Sequence, residues 1–308
     1  GIFVVAESWL NNSADNRTRG QLLGVYMVTS FLGMGGGQLL LNLANPGRSD
    51  LFIVVSVLIS FAVVPMLLSA SPGPSFEPGQ PVGLKKLYRR SPLGTVGTFG
   101  AGLTNGTVFG MGAVYAHKAG FSVAEVSIFM GVLIVGAAVL QYPIGRLSDV
   151  VDRHRVITVV TFCASAAALL ASFAARFSGM MFFVLACVFG GLGLTIHSLC
   201  LAYTNDFLEI QEVLGASSEL VLVLGVGSIL GPIAVGAVME QIGPAGFFLW
   251  LVLVHAGIGG FALWPKTHRD YPEGEEQAPY VAVPTQASSY AHVVAEEYSA
   301  ELEESSSE

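Results

Sequence analysis

Charge is what this chain lacks. Only 12% of its 308 residues are Asp, Glu, Lys or Arg, against 53% hydrophobic residues. Its mean hydropathy is +0.65. A soluble domain of this size carries about a quarter charged residues, so a water-facing surface is excluded for most of the chain. There is no basic excess, with 14 Lys and Arg against 22 Asp and Glu, so a nucleic-acid partner is not expected. Cysteine is also scarce. Cys163, Cys187 and Cys200 are three in number, form no CxxC pair and fall within apolar runs. A disulfide framework and a thiolate metal site are therefore not expected, and the three read as small packing residues. No nucleophile elbow, phosphate loop or metal-ligand cluster occurs. The reading is of a protein that is not an enzyme and that holds no cofactor and no metal.

Apolar runs and glycine fill the chain instead. Runs of about 20 apolar residues reach across a hydrocarbon core of roughly 30 Å, and in lipid such runs must be helical. Eight complete spans are predicted, at roughly 20–43, 50–70, 94–116, 122–144, 156–175, 179–203, 215–239 and 244–264. A ninth, from Gly1 to about Leu10, looks cut off, and no cleavable signal peptide is visible there. The 37 glycines suit close packing of membrane helices. This holds for Gly33-Met34-Gly35-Gly36-Gly37, which sits mid-span.

Eleven of the 14 basic residues fall in alternate connections. They are Arg17 and Arg19; Lys85, Lys86, Arg89 and Arg90; Arg146, Arg153 and Arg155; and Lys266 and Arg269. These connections are predicted to be cytoplasmic, which puts the C-terminus there too. Residues 265–308 hold ten of the 22 acids and two of the bases, and read as a disordered acidic tail. A shift of about 195 residues lays Gly20 on Gly215, Gly36 on Gly231 and Phe52 on Phe247, a faint repeat of the kind secondary transporters show.

Between two of the spans lies Gly145-Arg146-Leu147-Ser148-Asp149-Val150-Val151-Asp152-Arg153-His154-Arg155. Gly145 permits close helix approach where the chain turns. Asp149, at the end of one half of the molecule, can face a helix N-terminus near Gly20 and Gln21, where a carboxylate is stabilised. Arg153 can add charge-assisted bonds. The segment resembles the cytoplasmic signature of the major facilitator superfamily, G-x-L-[SA]-D-x-x-[GD]-R-x-[RK]. Gly145, Leu147, Ser148, Asp149, Asp152, Arg153 and Arg155 match it. Glu7-Ser8-Trp9-Leu10-Asn11 and the run from His197 to Asp206 look like the YcaD-like branch of that superfamily, whose members are bacterial inner-membrane proteins.

The resemblance implies an all-α membrane protein of two pseudo-symmetric helical bundles, with N-terminal helices missing. Counted back from the C-terminus, the spans become part of the family's fourth helix and its fifth to twelfth. Residues 1–70 are then the remainder of the N-terminal bundle, 71–93 a cytoplasmic linker, 94–264 a six-helix C-terminal bundle and 265–308 the tail. It further implies a conformational latch of Gly145, Asp149, Asp152, Arg153 and Arg155 with Arg17 and Arg19, closing on the fifth helix near Gly20 and Gln21. The cavity of such a fold would be lined by Trp9, Asn105, Thr107, Thr195 and His197, with Thr104 and Ser198 beside them. Glu7 and His197 are the candidates for proton coupling. For Glu219 and Asp206 a structural bond is the expectation. Gly225-Val226-Gly227-Ser228-Ile229-Leu230-Gly231-Pro232-Ile233-Ala234-Val235-Gly236 is similar to the family's glycine–proline motif. Gly227, Gly231, Pro232 and Gly236 are read as helix-packing residues. The expected activity is proton-coupled movement of a small solute by a monomer in the lipid bilayer. The alternatives are a non-transporting membrane protein or an inactive fragment on the same scaffold.

Overall fold

In the computed structural model, the described residues are 29–30, 32–45, 47–68, 83–174, 179–208 and 210–264. Residues 32–39 are helical and run into a short 3-10 turn, Leu40–Asn42. Nine α-helices follow among the described residues. They are α1 Asp50–Leu68, α2 Leu84–Arg90, α3 Pro92–Lys118, α4 Val123–Val150, α5 Arg153–Ala174, α6 Gly179–Gly193, α7 Ile196–Asn205, α8 Ile210–Ile242 and α9 Gly246–Ala262.

Four stretches are long and apolar enough to cross a bilayer: Val123–Val150, Arg153–Ala174, Gly179–Asn205 and Gly215–Ile242. Two of the other predicted spans depart from that standard for different reasons. α3 has 27 residues, about 40 Å of helix, but Gly, Thr and Asn dilute its apolar character. α9 is strongly apolar but only 17 residues long, at the short limit for a span. The predicted 179–203 span is one apolar stretch built as two helices, broken at Leu194 and Thr195. Thr195 explains the break locally. Its Oγ1 donates to the carbonyls of Gly191 (3.0 Å) and Leu192 (3.0 Å), so the hydroxyl competes for helix acceptors just past a glycine-rich turn.

The helix ends are sequence-encoded. Ser122 and Glu125 form a capping box at the start of α4, each side chain bonding the other's backbone N–H. Gly120 and Gly243 close α3 and α8 with φ of +89° and +76°, which other residues adopt only with strain.

Helices α3 to α9 form one bundle with an internal pseudo-twofold. Exchange α3 with the α6–α7 pair, α4 with α8 and α5 with α9. The packing of α3 on α8 then becomes that of α4 on α6, α5 on α6 becomes α3 on α9, and α5 on α9 maps onto itself. Such inverted repeats are a recurring plan of membrane transport folds. Two glycine seams hold the matched pairs. An added Cβ on Gly102 would overlap the Leu224 carbonyl, and one on Gly106 the Ser228 carbonyl. From the other side, Cβ atoms on Gly227 and Gly231 would overlap the carbonyls of Phe99 and Leu103. In the second seam, Gly136 meets the Cys187 carbonyl and Gly190 the Leu133 carbonyl. Along the first seam the register advances together on both members, from Gly102 and Leu224 to Gly106 and Ser228, so α3 runs parallel to α8. Pro232 rests its ring against Gly110, while a Cβ added to Gly236 would stand an ordinary 3.8 Å from Met111. Gly33, Gly36 and Gly37 have open space where a Cβ would stand, so they do not form a seam with the described residues.

The core divides along the bundle. At one end Tyr115 stacks on Phe247 (4.6 Å between ring centroids) and meets Phe248 edge-on (5.3 Å), with Phe129 and Phe182 beside them. At the other end the filling is mainly aliphatic, with Leu93, Ile144, Ile157, Ile196 and Leu199 around Tyr203. The signature segment lies at this second end.

Candidate functional site

The signature segment is not a loose loop. Most of it continues α4 as far as Val150, and only Val151 and Asp152 separate α4 from α5. Ser148 donates to the Gly145 carbonyl at 2.7 Å. Asp152 accepts from the His154 backbone N–H at 3.0 Å, which caps the start of α5. Asp152 also pairs with the exposed Arg155 at 3.4 Å.

Arg153 turns inward. Its side chain is wholly buried, and so is that of Asp206. Nη1 donates to both oxygens of Asp206, at 2.7 and 2.9 Å, and Nη2 donates to Asp149 Oδ1 at 2.9 Å. One guanidinium thus ties the end of α4, the start of α5 and the turn after α7. A fork of this kind suits arginine and no other cation. Sequence reasoning sent Asp149 and Arg153 toward the other bundle. The structure shows both engaged with each other within their own, and the expected structural bond of Asp206 is this one. Arg17, Arg19, Gly20 and Gln21 lie outside the described residues, as do Glu7 and Trp9.

A second group of polar side chains lies within the apolar helices. Asn105 is buried in α3, and its Oδ1 meets no hydrogen-bond partner among the described residues. Thr107, one residue pair further, accepts from Trp250 Nε1 of α9 at 3.1 Å. Thr104 bonds back to the Gly100 carbonyl at 3.1 Å. Gln141 of α4 donates to Ser198 of α7 at 3.3 Å. Thr195 sits at the break, and His197 is buried at the start of α7. The polar positions therefore come from α3, α4, α7 and α9 and stitch the helices together. Among the described residues no group of three metal-ligand side chains occurs.

A third arrangement escaped the sequence reading. Residues 71–93 were read as a linker, yet α2 within that stretch is fastened to the bundle. Leu87 is fully buried against Leu201, Ala216 and Leu220. Lys86 donates to Glu212 Oε1 at 2.7 Å, and Arg90 bonds the other oxygen of the same carboxylate. Glu219 accepts the backbone N–H of Gly83. The sequence signal was present: α2 carries four cations, and Glu212 and Glu219 are the two acids in the first half of α8.

Comparison with known proteins follows the same lines. Residues 94–298 match the family described as Major Facilitator Superfamily. Curated relatives include the protein named uncharacterized MFS-type transporter YcaD from Escherichia coli K12 / DH10B, from O157:H7 EC4115 / EHEC and from O9:H4 HS. Each is 26% identical over 255 residues, covering 82% of this chain and 65% of the relative. The chain thus spans about 65% of the length of the curated relatives it matches. No solved structure matches it.

Proposed function

Because the chain belongs to the major facilitator superfamily, we propose that it moves a small solute across a bacterial inner membrane by alternating access, as a monomer driven by protons. The observation that carries this reading is the set of polar side chains buried within membrane-length helices. Asn105, Thr107, Gln141, Thr195, His197 and Ser198 are all buried in the bundle. Polar groups at that depth are costly in lipid and mark solute or ion routes. In this reading Asn105, Thr107, Thr195 and His197 face the solute together with Trp9. Glu7 and His197 carry the proton. The basic connections lie in the cytoplasm, with the C-terminus.

The latch works at the cytoplasmic end. In this reading Asp149, half-buried and bonded to Arg153, meets the N-terminus of the family's fifth helix near Gly20 and Gln21, with Arg17 and Arg19 beside it. Closure of the two bundles there favours the outward-open state, because a carboxylate is stabilised at a helix N-terminus.

The test is solute-dependent proton flux into proteoliposomes containing the full chain. Flux is expected for at least one solute of a panel of sugars, amino acids and amphiphilic amines. Glu7→Gln should abolish the proton signal. Asp149→Asn should cut flux about tenfold or more while the thermal transition stays in place. Solute movement that persists with the proton gradient collapsed would overturn the coupling. Unchanged flux in Asp149→Asn would overturn the latch.

A further inference from the structure

α2, α3 and α8 enclose a groove of about 770 Å³ that the transport reading does not use. Its walls are apolar and aromatic: Phe99 of α3, and Leu222, Val223 and Val226 of α8. Among the described residues its charged lining groups are Lys85 of α2 and Glu219 of α8, with the Tyr88 phenol beside them. Glu219 spends one oxygen on the Gly83 backbone N–H. The other, Oε2, is buried and meets no hydrogen-bond partner among the described residues. A carboxylate oxygen left in that state is costly, so the groove favours an occupant that brings an N–H or O–H donor.

The groove is graded along its length. Lys85 and Tyr88 sit on the basic helix α2, outside the membrane-length stretches. Val226 lies seven residues beyond Glu219, about 10 Å deeper along α8. A polar end holding one anion and one cation, followed by an apolar trough running inward, has the profile of one bilayer leaflet. We infer that this groove binds an aminophospholipid of the cytoplasmic leaflet, with its ammonium on Glu219, its phosphate on Lys85 and Tyr88, and an acyl chain along Phe99, Leu222 and Val226. The choice of headgroup follows from hydrogen-bond chemistry. A primary ammonium offers three N–H donors to Oε2. A choline headgroup offers none, and a glycerol headgroup offers O–H donors but no positive charge to match the carboxylate. The occupant also bridges α2 to α8 at the point where Glu219 already holds Gly83.

The test is native mass spectrometry of the full chain released from nanodiscs. The discs contain phosphatidylethanolamine, phosphatidylcholine and phosphatidylglycerol in equal parts, with the same acyl chains. Phosphatidylethanolamine should be retained preferentially. Glu219→Gln keeps an acceptor for Gly83 but removes the charge, and should lower the ethanolamine-to-choline ratio about tenfold, as expected for one hydrogen bond to a charged group. Val226→Trp fills the trough while sparing Glu219, and should lower retention of ethanolamine lipid; it decides the matter if Glu219→Gln fails to fold. Equal retention of the three lipids by the unaltered chain, or undiminished ethanolamine preference in either folded variant, would overturn the assignment.

Discussion

Arg153 is the residue on which the signature end of the bundle turns. Its charge is buried completely and matched by Asp206, equally buried, and by Asp149, about a third exposed. A buried pair of this kind adds little over an apolar substitute, but removing one partner strands the other's charge at a cost of about 3–5 kcal/mol. Asp206→Ala should therefore lower the thermal transition markedly in detergent, and Asp149→Asn should lower it little, since water reaches Asp149. Equal shifts for the two would contradict the geometry. The motif residues themselves were legible in the sequence, because Gly145, Asp149, Asp152, Arg153 and Arg155 fall in one short run. The partner was not. Asp206 lies 53 residues from Arg153, and spacing along the chain carries no information about which helix crosses which.

At the scale of elements, the seams decide stability. Gly231 lies with its Cα against the Leu103 carbonyl, and backbone does not yield to an added methyl group as a flexible side chain does. Gly231→Ala should destabilise by about 1–3 kcal/mol, the range for overpacking. Gly225→Ala, on the same helix with open space at its Cβ position, should be neutral or slightly stabilising because alanine favours helix. Thermal unfolding of the two variants side by side checks this, and a loss in Gly225→Ala equal to that in Gly231→Ala would refute the seam. Most spans were readable from apolar runs alone, since lipid imposes helix on any such run. The break at Leu194 and Thr195 was not readable. Hydropathy passes smoothly through it, and the hydroxyl bonds of Thr195 are a local competition that an averaged window smooths away.

At the scale of the whole molecule, α2 belongs to the bundle that follows it. Glu212 receives both Lys86 and Arg90, and Leu87 anchors the helix from beneath. The fastening is partly solvent-exposed, so it should respond to salt. Glu212→Ala should free α2 and accelerate trypsin cleavage after Lys86 and Arg90 several-fold, and added salt should do the same to the unaltered chain. Cleavage rates that ignore both changes would show that Leu87 alone holds the helix. Composition announced a membrane protein, and the signature segment announced its family. The fastening of α2 was hidden because a short cationic stretch between apolar runs reads equally well as solvated loop.

The α3–α8 seam has a mechanical meaning. Two rods joined backbone to backbone over residues 99–107 and 224–231 bend there as one beam, stiffer than either rod. α8 is 33 residues long, about 50 Å, and α2 is bolted near its first turn through Glu212. A push on α2 at one face of the membrane is therefore not absorbed as local flexing. It arrives at the Pro232 end of the beam as tilt, which makes the short helix a handle and the glycine seam its lever arm.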